Sequence, residues 1–160
     1  MIWAKEDSRM AKDDRLRVQV DHEYLSALGM AVYCFARLEW NAVYVAHRIG
    51  ANGHNSSASP NYLTILKKKT AGTIAKDLNR FASGIKDISI KQQVEPVASR
   101  FNKLTERRYA LMNANPGTAP NGDQRLFRHG DEWTIAETNA LSDEFTARAE
   151  ELNQLIHQVL

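Results

Sequence analysis

The sequence predicts an all-α fold: an up-down bundle of four to five helices with a small appended β-hairpin. Three observations lead there. Four long segments carry apolar residues at spacings of three and four, the period of one helix face. Eight glycines and four prolines in 160 residues are too few for a turn-rich sandwich or barrel. An apolar fraction of 43% with 25% charged residues is an ordinary globular balance, which excludes whole-chain disorder. The length suits one domain with its own core. Residues 1–20 read as a charged N-terminal arm and residues 21–160 as the single helical unit.

Residues 5–15 hold eight charges and no apolar period, as a solvated arm would. Leu16, Val18 and Val20 alternate with Arg17, Gln19 and Asp21, which suggests a short strand. The first helix is expected over residues 21–49, with Asp21 as N-cap and Gly50 just past its end. Its seam is Leu28, Ala31, Phe35, Leu38, Ala42, Val45 and Ile49, and Tyr33, Trp40 and Tyr44 add a second stripe. That arc is too wide for a helix covering one side of a core. Either the helix is central or the second stripe meets another subunit. Residues 50–59 form a polar loop, and Ser59-Pro60 starts a second helix. This helix carries Leu63 and Leu66, passes a weak point at Ala71-Gly72-Thr73, continues through Ile74, Leu78 and Phe81, and ends at Gly84. Its basic run Lys67-Lys68-Lys69 is either a solvated face or a phosphate contact.

The third helix is expected over residues 87–113, with Val94, Val97, Phe101, Leu104, Leu111 and Met112 on its apolar face. Pro96 should kink or reset its first turn, because an interior proline costs about 3 kcal/mol. The breaker Asn115-Pro116-Gly117 follows, and residues 114–123 read as loop. Residues 124–128 and 133–135 suggest two short strands around His129-Gly130-Asp131. The fourth helix covers residues 136–159, with Thr134 and Glu137 in capping-box spacing and Leu141, Phe145, Leu152, Leu155 and Ile156 facing the core.

Several functions are disfavoured at once. Lys and Arg exceed Asp and Glu by 21 to 19, too little to indicate a nucleic-acid or membrane partner by charge alone. Cys34 is the single cysteine, so neither an intramolecular disulfide nor a cysteine zinc site is expected, and it reads as a small buried hydrophobe. The longest uncharged apolar run, residues 27–36, is too short to span a bilayer, and the first residues lack a leader-like apolar stretch. A soluble cytoplasmic protein with no membrane partner is the expectation. The five histidines (His22, His47, His54, His129 and His157) lack ligand spacing, so no metal and no cofactor is expected.

One residue breaks the pattern. Along the third helix the stripe Val97, Phe101, Leu104 and Leu111 includes position 108, which is Arg108. A guanidinium on a buried face must be paired. Arg108 is either a structural residue, snorkelling or ion-paired with Glu39 as candidate partner, or an arginine aimed into a cleft to hold phosphate.

The stretch Glu106-Arg107-Arg108-Tyr109-Ala110-Leu111-Met112-Asn113-Ala114-Asn115-Pro116-Gly117-Thr118 resembles the signature of HEPN-domain proteins (higher eukaryotes and prokaryotes nucleotide-binding). Arg108 matches that family's arginine. Asn113 stands where its histidine is expected, and Tyr109 replaces a residue that is usually polar. Phe35 and Leu38-Glu39 are similar to the family's first helix, where an acid supports the arginine. The resemblance covers about residues 21–158.

It implies a homodimer whose paired motifs cut RNA without metal, with histidine moving protons and arginine stabilising the phosphorane. On that basis Arg108, Asn113 and Glu39 are the candidate catalytic residues, and Arg107, Lys103, Arg128 and His129 the candidate RNA contacts. An amide cannot exchange protons near neutral pH, so Asn113 implies a weakened endoribonuclease-type site. Three functions compete. One is an RNA-directed toxin or defence effector. Another is a non-catalytic homodimer binding RNA, a nucleotide, or a protein such as an antitoxin. The third is a plain helical interaction module, favoured if Arg108 and Glu39 bridge inside a closed core.

Overall fold

The computed structural model describes residues 8–51 and 62–160. Helix α1 (His22–Ala51) begins at the predicted N-cap, where Asp21 Oδ2 accepts from the Tyr24 amide at 3.3 Å. It runs through Gly50, which stays helical rather than ending it. Phe35, Leu38, Ala42, Val45 and Ile49 are buried as the spacing required, and Leu28 is partly so. The second stripe faces outward: Tyr33 is 73% and Trp40 47% exposed. Ahead of α1, residues 16–20 are not a strand. Residues 9–11 fold back beside residues 20–22 instead, with one bridge between Met10 and Asp21.

The single second helix expected from the sequence is two helices, α2 (Tyr62–Leu66) and α3 (Ala71–Ser83). The expected start at Ser59-Pro60 lies outside the described residues. The break falls at residues 67–70, not at Ala71-Gly72-Thr73. Thr70 caps a fresh helix there by accepting from the Thr73 amide. Helix α4 (Ile88–Met112) starts at the Asp87 cap and continues through Pro96. Pro96 is exposed, as is Gln92, whose carbonyl the missing N–H would have met, so water can satisfy that group. Met112, expected on the buried face, is 41% exposed.

The segment expected as loop after α4 supplies a strand. β1 (Asn115–Thr118), β2 (Gln124–Arg128) and β3 (Asp131–Trp133) form an antiparallel sheet in the order β1-β2-β3, a strand more than a hairpin. Gly117 allows it: a Cβ there would meet Phe127 Cδ2 at 2.9 Å. The β2–β3 turn is His129-Gly130, with φ of 53° and 85°, the left-handed pair of a two-residue hairpin. β3 ends at Trp133 because Thr134 caps α5 (Ile135–Gln154) in the predicted capping box with Glu137, which places Ile135 in the helix. The chain closes in a π-helical turn, Leu155–Val159.

Helix α1 lies against α5 and α3, and α3 against α4. Phe35 and Phe145 meet edge to face with ring centres 5.1 Å apart at the α1–α5 seam. Cys34 is only half-buried, with its sulfur 3.6 Å from the Thr146 hydroxyl. The sheet is tied to the start of α1 by a buried knot. Arg125 Nη1 donates to Asp21 Oδ1 at 2.6 Å while its guanidinium lies 4.5 Å from the centre of the Tyr24 ring. The Tyr24 hydroxyl donates to the Trp133 carbonyl at 2.8 Å and accepts from the Leu126 amide at 3.0 Å. No helix among the described residues is long and apolar enough to cross a membrane.

Candidate functional site

Helix α4 presents Arg107 and Arg108 about 100° apart, because each residue of an α-helix turns by that angle. The two arginines therefore open onto different depressions. Arg108 is half-buried, with its guanidinium 5.1 Å from the centre of the Phe35 ring on α1. Glu39 sits one turn further along α1, also half-buried. Burial pushes its carboxyl above the ordinary value, and the Arg108 charge pulls it part of the way back. Among the described residues no hydrogen bond or ion pair joins Glu39 to Arg108; their coupling is through space. Arg108 instead lines an open cleft of about 580 Å³ between α3 and α4.

The opposite wall of that cleft is the start of α3: Thr70, Ala71 and Gly72. The unsatisfied N–H groups of a first helical turn carry partial positive charge. With Arg108 they make this cleft suitable for an anion. Thr105, Glu106, Tyr109 and Asn113 complete the lining, and Glu106 adds one negative charge to it. Asn113 is the C-cap of α4. Its Nδ2 donates to the Tyr109 carbonyl at 2.9 Å, which also accepts from the Asn113 backbone amide at 3.0 Å. Arg108 and Asn113 thus share a cleft, with Glu39 nearby on α1.

The remaining candidate contacts lie on the other side of α4. Arg107, Arg128 and His129 line a second depression of about 480 Å³ with Asp131, Glu132 and Glu137. Both arginines stack on aromatic rings: Arg107 lies 5.6 Å from the centre of Trp133, and Arg128 lies 5.8 Å from that of Tyr109. Arg128 also donates to the Asn113 carbonyl at 3.1 Å, tying the hairpin to the end of α4. Lys103 borders a third groove, between α4 and α5. The candidate residues are therefore distributed around α4 rather than gathered in one pocket.

Sequence reasoning missed Arg125, whose partner Asp21 lies 104 residues away, and Arg100 and Arg148, which flank Lys103 in the third groove. Only Arg100 had a readable signal, standing three and seven residues before Lys103 and Arg107 on one helix face. Among the described residues, no group of three or more His, Cys, Asp or Glu side chains is arranged to hold a metal ion. Compared with family models, curated proteins and solved structures, the chain matches none.

Proposed function

We propose that this chain is a HEPN-like, RNA-directed protein, an up-down helical bundle acting as a homodimer, in which Arg108 holds a phosphate of the RNA. The observation that carries this reading is the setting of Arg108: a half-buried guanidinium on the wall of an open cleft, facing the first turn of α3 and five residues before Asn113. A guanidinium remains charged at all relevant pH values and forks onto two phosphate oxygens. Glu39 lies close enough to feel that charge without consuming its donors in a salt bridge. Tyr109, which lines the cleft, and Met112 are exposed at the end of α4, and Val32 is exposed on α1, apolar surface open to a second copy. The outward Tyr33 lies six residues from Glu39, about 120° away around α1, and does not border it.

The reading implies metal-independent attack of a 2′-hydroxyl on the adjacent phosphate, with a toxin or defence role and an antitoxin-like partner as its setting. Asn113 limits the chemistry, since an amide can orient a phosphate or hydroxyl but cannot move a proton at neutral pH. Its side chain is also engaged with the Tyr109 carbonyl, which favours a second reading: a non-catalytic homodimer that binds RNA, a nucleotide or a protein.

The test compares wild type, Asn113→His and Asn113→His with Arg108→Ala on a mixed-sequence RNA in EDTA. Asn113→His is expected to raise cleavage by about 10²–10⁴ fold with an optimum near neutral pH. Adding Arg108→Ala should abolish it, because the phosphorane loses its stabilising charge. A folded, dimeric and inert Asn113→His protein would leave the non-catalytic reading. Cleavage by wild type would shift the proton-transfer role to His129.

A further inference from the structure

The third groove, of about 320 Å³ between α4 and α5, has a charge pattern that the Arg108 cleft does not explain. Arg100, Lys103 and Arg107 stand at i, i+3 and i+7 on α4, and Arg148 faces them from α5. Against these four cations stand Glu144 on the rim and Glu151 between the helices. Glu151 divides itself: Oε2 accepts from Arg100 Nη2 at 3.2 Å, and Oε1 pairs with Arg148 Nη1 at 3.1 Å. One carboxylate thus holds two guanidiniums. The Nε–H of each arginine is buried and meets no acceptor among the described residues. Lys103 is exposed and has no ion pair among them. Four cations against two carboxylates leave a local surplus of positive charge, with Arg107 shared between this groove and the depression that holds Asp131, Glu132 and Glu137.

We propose that this α4–α5 groove is a phosphate-chain site that takes consecutive phosphates of a single-stranded RNA backbone. Like charges held together by half the acid needed to neutralise them are stabilised further by an incoming polyanion. The three α4 cations span about 10 Å at 1.5 Å per residue, longer than one phosphate and suited to a chain of them. A groove of this kind tracks a backbone and reads no sequence. The identity of the chain as RNA rests on the reading of the Arg108 cleft; the phosphate chemistry rests on the groove alone.

The experiment measures binding of a fluorescent single-stranded RNA of roughly twelve nucleotides, long enough for a groove of this kind, and of inorganic polyphosphate, to the full chain over a salt series. Lys103→Ala with Arg148→Ala is expected to weaken RNA binding at least tenfold at low salt. It should also flatten the slope of log affinity against log salt by about 1.4, since each lost phosphate contact removes about 0.7 on a single strand. Glu144→Gln should tighten binding several-fold, an effect that general destabilisation cannot produce. Both results support the groove. RNA affinity unchanged by these variants but lost in Arg108→Ala overturns the groove and leaves the Arg108 reading standing. Groove-dependent binding of polyphosphate without binding of RNA overturns the RNA assignment, here and at Arg108, while the phosphate site remains. Absence of binding by either polyanion overturns both.

Discussion

Glu39 is held in an environment that favours its neutral form. Burial raises its pKa above the ordinary 4.5 by more than the Arg108 charge lowers it. The folded chain therefore binds this proton more tightly than the unfolded chain, so stability from this group is greatest below about pH 4.5 and declines as pH rises through the window just above it. Glu39→Gln, which keeps the neutral shape, should raise the melting temperature at about pH 7, and the gain should shrink toward about pH 4. Arg108→Ala should cost about 1 kcal/mol or less, as for an arginine without a buried ion pair. Thermal melts across pH check both; a large loss in either variant would reveal a stabilising pair. Arg108 was legible in the sequence because it interrupts an otherwise apolar stripe; Asn113 was singled out only by the resemblance of the stretch around it, and the approaching breaker marked it as no more than a residue near a helix end. What the stripe could not say is whether position 108 meets a carboxylate or a cleft, since that depends on where the start of α3 lies. Arg125 was illegible for another reason: alternation within a five-residue strand does not reveal that its inward side chain is charged and matched across the chain.

Among the elements, the long helices were readable because apolar period and capping agreed, as at Thr134 and Glu137. The break before α3 was missed by a few residues because glycine looked like the weak point. The capping hydroxyl of Thr70 in fact set the boundary. Strand β1 was missed because three of its four residues, Asn115, Pro116 and Gly117, are of types depleted in strands. It is a strand because it pairs with β2, and Gly117 lets the Phe127 ring lie against it. Gly117→Ala should therefore push that ring or bend the strand, at a cost of about 1–3 kcal/mol. Urea melts give the size of the effect, and a wild-type midpoint would mean that the ring yields freely.

For the molecule as a whole, the knot of Asp21, Tyr24 and Arg125 joins the first helix to a sheet late in the sequence. Asp21 is 4% and Arg125 8% exposed. Asp21→Ala removes the shortest carboxylate contact of Arg125, leaving Asp123 at 3.3 Å and Glu132 at 3.8 Å, and it removes a helix cap, a loss of about 2–4 kcal/mol. Tyr24→Phe removes both hydrogen bonds of one hydroxyl and should cost about 1–3 kcal/mol. Denaturation at fixed pH ranks the two. The same knot also bears on the order of folding. Its bonds close loops of 102 to 109 residues, whereas the pairings within α3–α4 and within the sheet are local. Distant contacts are rewarded only after the chain entropy between them has been lost, so they form after the rate-limiting step when local pairings can carry it. Tyr24→Phe should then leave the refolding rate near that of wild type and put nearly all of its loss into faster unfolding. A stopped-flow chevron separates the limbs. A folding limb slowed as much as the unfolding limb is quickened would place the hydroxyl in the nucleus; an unchanged one makes it a latch that sets how long the native molecule stays closed.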